Sequence, residues 1–353
     1  MALEPTFLTR SPADAPAPDQ PRMPSIIYNF VRSRQLERNY PGNSRDGAWP
    51  ISALRVMYGW GAPPIDAWPY NYETDGWPPP DEPPRIDDLA RQLRINHYYR
   101  VTSLEECKFV LEHRQTMVGV SLDITDDWFS APNGRIPFQN RNSRPAGAHH
   151  VMLTGYSDQK GEFRFVNSWG AGWGDGGFGS ISYALFERTW NEAWAMGLGA
   201  PVRAQSDEAV TQAVWAVQEE KTGLLTHGTT FVTKEDDRFA WSFGYESGGY
   251  LLIEELFVKP SYRRRGFGKT LMLWAARVCE RRNLEFRFVV PYVDANDAAS
   301  RGAFSRIVSP YGLSLRETGV SCAPLIASMD PVEAAPGPID PPSRPGSPFV
   351  RSA

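Results

Sequence analysis

The sequence predicts an α+β protein built from two modules. Its 353 residues suffice for two domains of roughly 150 residues each. Strand-like and amphipathic helical runs occur in both halves. A turn-rich polar segment, GAPVRAQSD, separates those halves.

Composition bounds the function. Lys and Arg number 37 against 41 Asp and Glu, a formal net charge of −4. This is no polycation, so electrostatic capture of nucleic acid is not expected. Hydrophobic residues make up 41% and aromatics 12%, enough for real cores. No run approaches the length of a membrane span, and no membrane partner is expected. The opening MALEPTFLTRSPADAPAPDQP lacks the basic and apolar regions of a secretion signal. Cys107, Cys279 and Cys322 are too few and too scattered for a disulfide framework or a metal-ligand spacing. The expectation is a cytoplasmic protein with buried thiols and no metal.

Taken in chain order, residues 1–23 are proline-rich (Pro12, Pro16, Pro18, Pro21) and read as disordered. Residues 24–198 form the first globular unit. Within it, SLEECKFVLEH places Leu104, Cys107, Val110 and Leu111 on one helical face. The runs MVGVSLDI, HHVMLTGYS and EFRFVNSW read as strands. Residues 199–207 are a linker, and residues 208–328 form the second unit, with strands TTFVT, FAWSFGY, YLLIEELFV and EFRFVV and a helix from Lys269 to Arg282. Residues 329–353 carry seven prolines, from Pro331 to Pro348, and read as an extended disordered tail.

The second unit contains a strand, then the loop Arg263-Arg264-Arg265-Gly266-Phe267-Gly268-Lys269, then a helix. That arrangement aims free N–H groups at an anion, and the helix dipole and basic side chains favour negative charge. The two glycines allow close backbone approach. Neither a Walker loop nor a dinucleotide-binding fingerprint is present. With Val258-Lys259-Pro260 before it, the pattern Arg263-x-x-Gly266-x-Gly268 resembles the GNAT family of N-acetyltransferases, through to about Thr318.

The resemblance implies a mixed α/β domain with splayed central strands and acetyl-CoA as acyl donor. It implies that Arg264, Arg265, Gly266, Phe267, Gly268 and Lys269 cradle the pyrophosphate. Leu256, Phe257 and Val258 would present backbone groups to the pantetheine and thioester, and Asn296 would touch the cofactor. An attacking amine needs a base. Glu254 and Glu255 are the candidates, expected on opposite faces of their strand. The proton-donating Tyr of many members is replaced by Ala303. Only about 40 residues separate the linker from YLLIEELFV, too few for the helices that usually shape the acceptor site.

The first unit holds GAHHVMLTGYSDQKGEFRFVNSWGAGWGDGGFG. An Asn oxygen that accepts from an imidazole fixes its tautomer, and a nearby Trp excludes water from that bond. Ala148-His149-His150-Val151, followed by Asn167-Ser168-Trp169-Gly170 and Trp173-Gly174, resembles the C-terminal part of papain-like cysteine peptidases, with likeness over residues 24–185. The resemblance implies His149 as catalytic imidazole and Asn167 as its orienting partner, with peptide as substrate.

No Cys precedes Cys107, which lies on a later helix. The unit thus reads as a truncated papain-like domain lacking its nucleophile-bearing helix, either a degenerate scaffold or the product of a start further upstream. Three functions follow: acyl transfer from acetyl-CoA to an unidentified amine, cysteine proteolysis, and non-catalytic peptide binding.

Overall fold

A computed structural model describes residues 23–43, 47–71, 74–113, 116–138, 142–197, 210–218, 225–290, 314–316 and 325–328. The expectations for residues 1–22, the linker at 199–207, Asn296, Cys322 and the 329–353 tail lie outside the described residues. The described residues fall into two compact units, 23–197 and 210–328.

The first unit opens with α1 (Ile26–Leu36), whose N-cap Ser25 accepts a hydrogen bond from the Tyr28 N–H at 3.3 Å. The second helix, α2 (Pro50–Gly59), starts on a proline, whose missing N–H costs nothing at that position. With α3 (Ile86–Ala90), they bury Tyr28, Val31, Val56, Trp68 and Ile86 in a helical core.

Six strands follow: β1 (His97–Val101), β2 (Val118–Thr125), β3 (Pro145–Ser157), β4 (Glu162–Val166), β5 (Phe178–Ser182) and β6 (Trp190–Gly197). They form one antiparallel sheet ordered β1-β6-β2-β3-β4-β5. Val118, Val120, Leu122, Val151, Leu153, Phe163 and Phe165 supply its core, each burial contributing roughly 1.5–3 kcal/mol. Two helices cover it: α4 (Leu104–His113), which buries Cys107 and Val110, and α5 (Tyr183–Thr189), which buries Leu185 and Phe186.

The second unit begins as an antiparallel meander of β7 (Val210–Gln218), β8 (Leu225–Thr233), β9 (Arg238–Ser247) and β10 (Tyr250–Val258). The β9–β10 hairpin turns on Gly248 and Gly249, both at positive φ (+56° and +83°), as the tightest hairpin turns require. The helix α6 (Phe267–Arg282) then crosses over to β11 (Glu285–Val290), which pairs parallel with β10. Two short strands, β12 (Ser314–Arg316) and β13 (Leu325–Ser328), complete the order β12-β13-β11-β10-β9-β8-β7. Leu271 of α6 packs on Phe231, Phe239 and Ala240.

Sequence expectation and structure differ in two places that matter for function. The long helix begins at Phe267, two residues before the expected Lys269, so Gly266 is its N-cap and Gly268 lies in its first turn. The simple alternation expected for Glu254 and Glu255 is interrupted. The register between β9 and β10 shifts between Ile253 and Glu255, which leaves Glu254 at an irregularity of the ladder.

Candidate functional site

The loop after β10 is built by its neighbours. The Arg263 guanidinium donates from Nε to the Val258 carbonyl at 3.0 Å, tying the loop to the strand end. Arg264 takes a left-handed backbone (φ +62°), and Gly266 does the same at φ +88°. A chain reversal here turns the backbone into the helix, and no side chain caps it. Thr270 N–H reaches the Gly266 carbonyl at 3.0 Å. Among the described residues, no hydrogen-bond acceptor meets the N–H groups of Phe267, Gly268 or Lys269. A Cβ placed on Gly266 or on Gly268 would meet nothing within 4 Å. The mouth of α6 is therefore open, with Arg264, Arg265 and Lys269 around it.

Beside this mouth, Leu256 and Val258 are half-buried and pack against the cluster that includes Leu271, while Phe257 is buried against Trp241, ring centroids 4.7 Å apart. Glu255 is only 2% exposed, and Glu254 is half-buried. The β10–β11 ladder pairs Tyr250–Ile253 with Glu285–Phe288, and Val289 and Val290 pair with β13.

In the first unit, β3 and β4 run antiparallel and Asn167 follows directly on β4. This brings His149 and Asn167 together: Nε2 of His149 lies 2.8 Å from Oδ1 of Asn167. The same oxygen accepts the Ser168 N–H at 2.8 Å, so Nε2 carries the imidazole proton in the neutral ring and Nδ1 is left with the lone pair. The Trp169 ring stacks on His149 at 4.6 Å, with Phe129 stacked on Trp169 at 5.0 Å. Trp173 anchors this aromatic group by donating its indole N–H to the Trp128 carbonyl at 2.8 Å. Burial pushes His149 below the ordinary histidine range, opposed by the bond to Asn167.

His150 points the other way, its Nδ1 3.0 Å from Ser121 Oγ. Its ring overlies Gly119, where a Cβ would stand 2.7 Å from Nε2. The described cysteines are both buried. Burial drives the Cys107 thiol far above the thiol range, and drives Cys279 up to about 12. Neither is a thiolate near neutral pH. Among the described residues no group of three or more His, Cys, Asp or Glu could hold a metal, and no helix is long and apolar enough to cross a membrane.

Two features escaped the sequence: the Tyr262–Asp237 contact under the basic loop, and the His227–Glu246–Arg282 cluster. In the latter, Nε2 of His227 lies 2.6 Å from Glu246, which also accepts from Arg282 at 2.8 Å. Residues far apart in sequence leave no spacing signal.

Comparison with known proteins gives each unit a family likeness. A family model for the papain family of cysteine proteases matches residues 37–194. A model for the GNAT family of acetyltransferases matches residues 183–307. The overlap, 183–194, forms α5 and part of β6 in the first unit. Among solved structures, xylellain, a cysteine protease from Xylella fastidiosa, is 24% identical over 51% of this chain and 72% of its own, with a TM-score of 0.45. Digestive procathepsin L 3 of Tenebrio molitor is 19% identical over 50% of this chain and 57% of its own, TM-score 0.37. A GNAT-family acetyltransferase from Staphylococcus aureus is 10% identical over 30% of this chain and 69% of its own, TM-score 0.25. No curated protein matches. One chain thus carries a papain-family cysteine protease domain over 37–194 and a GNAT acetyltransferase domain, whose family implies an acyl-CoA donor, over 183–307.

Proposed function

We propose that the second unit transfers an acetyl group from acetyl-CoA to an amine. The observation that carries this reading is the open glycine mouth of α6, with unmet N–H groups and three cations around it. A diphosphate fits that chemistry: Arg264, Arg265, Gly266, Phe267, Gly268 and Lys269 supply N–H donors, a helix dipole and positive charge. Backbone groups of Leu256, Phe257 and Val258 would hold the pantetheine and polarise the thioester carbonyl.

In the reaction, the amine nitrogen bonds the thioester carbon, the carbon–sulfur bond breaks, and the thiolate leaves. Glu254 or Glu255 takes the amine proton, directly or through water. Asn296, outside the described residues, belongs to the same proposal, as does a cytoplasmic location. Release of CoA thiol from acetyl-CoA across a panel of amines tests the reaction. Loss of turnover in Glu254→Gln or Glu255→Gln, with acetyl-CoA binding retained, assigns the base. Full turnover in both variants removes the pair from the mechanism.

A second reading, cysteine proteolysis, rests on the 2.8 Å His149–Asn167 bond. Cys107 and Cys279 cannot supply its nucleophile, so hydrolysis requires a thiolate from elsewhere. Peptide hydrolysis abolished by His149→Ala supports it. Peptide binding without hydrolysis favours a non-catalytic peptide-binding module.

A further inference from the structure

The basic loop does not present its cations equally. Arg263 is tied back to the Val258 carbonyl, with its guanidinium 5.9 Å from the Phe257 ring centroid. Arg265 instead lies over the Tyr262 ring, 5.3 Å from its centroid. That ring is itself fixed. Phe239 of β9 stacks on it at 4.2 Å with an interplanar angle of 15°, and its hydroxyl donates to Oδ2 of Asp237 at 3.3 Å. The other carboxylate oxygen of Asp237 accepts from the Lys259 ammonium at 2.5 Å. Lys259 is only 4% exposed, and its N–H donates to the Phe239 carbonyl at 2.8 Å. The Asp237 carboxylate thus fastens both the first residue after β10 and the aromatic ring on which Arg265 rests.

We propose that the Tyr262 ring, seated on Phe239, is a positioning group that orients Arg265 toward the diphosphate of the acyl donor. This rests on the reading of the loop as an acyl-CoA site. An arginine free to sample its rotamers loses side-chain entropy when it grips an anion. A guanidinium already parked on an aromatic face has lost much of it. Arg264 and Lys269 have no such ring partner among the described residues.

The test is a double-mutant cycle on acetyl-CoA dissociation constants measured with the full chain. Tyr262→Phe keeps the ring and should bind within about twofold of the parent, because the cation–ring contact is retained. Tyr262→Leu and Arg265→Gln should each weaken binding by roughly three- to tenfold. Their combination should weaken it no more than the stronger single change, because both remove one coupled interaction. A ring needed only for folding would lower the melting temperature and give additive losses, which overturns the proposal. So does parent-like affinity in Tyr262→Leu. If the parent chain itself gives no binding, the acyl-CoA reading fails first and takes this inference with it.

Discussion

At the scale of single residues, glycine and histidine make the sharpest tests. Gly268 sits in the first turn of α6 with open space where a Cβ would go. Gly268→Ala should therefore leave the melting temperature unchanged or raise it slightly, a helix interior favouring Ala by roughly 0.5–1 kcal/mol. Gly268→Asp should by contrast weaken acetyl-CoA binding, because a longer side chain with a negative charge occupies the ligand's approach. Thermal melts and titrations on both variants separate the two effects, and unchanged affinity in Gly268→Asp would remove Gly268 from the site.

For His149, burial depresses the imidazole below its unfolded value of about 6.5. The unfolded chain then binds a proton that the folded chain does not, so stability falls as pH drops below the unfolded value and stops falling below the folded one. Denaturant melts across that window should show the loss in the parent and a smaller loss in His149→Gln. An imidazole NMR titration with its midpoint at or above the ordinary value would contradict this. The juxtaposition of these candidate residues was legible in the sequence because each group is compact there. His149 and Asn167 bracket one hairpin, and the glycines lie two apart. The placement of Glu254 was not legible, because a ladder irregularity depends on the partner strand.

At the scale of elements, what the chain declares follows from how one-sided each segment is. Helix α4 was evident from its single apolar face, and β2, β3, β8, β9 and β10 from runs of β-branched and aromatic residues. The bounds of α6 moved because Phe267 serves the core with Tyr262 and Leu271 although it lies within the glycine loop. Helix α1 was missed: Arg32, Ser33 and Arg34 sit in its middle, and the buried Arg34 is held by the Asn43 carbonyl at 2.7 Å, a partner only the fold supplies. Strand β7 was also missed. Among the described residues it pairs with β8 alone, and it exposes Val210 and Val214, so its apolar residues carry little core signal.

The capping of α1 gives a prediction at this scale. Ser25 is buried and its hydroxyl takes the Tyr28 N–H. Ser25→Ala should cost about 1 kcal/mol of stability in the first unit while leaving acetyl-CoA affinity unchanged. A denaturation midpoint equal to the parent's would show that the cap is not contributing.

At the scale of the whole molecule, each unit has its own sheet and its own core. Calorimetry should show two transitions, and acetyl-CoA should raise only the one belonging to the second unit, since a ligand stabilises what it binds. A single transition that moves as one with ligand would contradict that independence. The central claim is that the mouth of α6 grips the acyl donor. Isothermal titration of the full chain with acetyl-CoA, run beside Gly266→Glu, tests it most directly. The account predicts saturable one-to-one binding by the parent and none by the variant, in which a side chain and a negative charge enter a left-handed backbone position at the diphosphate. Equal heats from both proteins, or none from a folded parent, would contradict it.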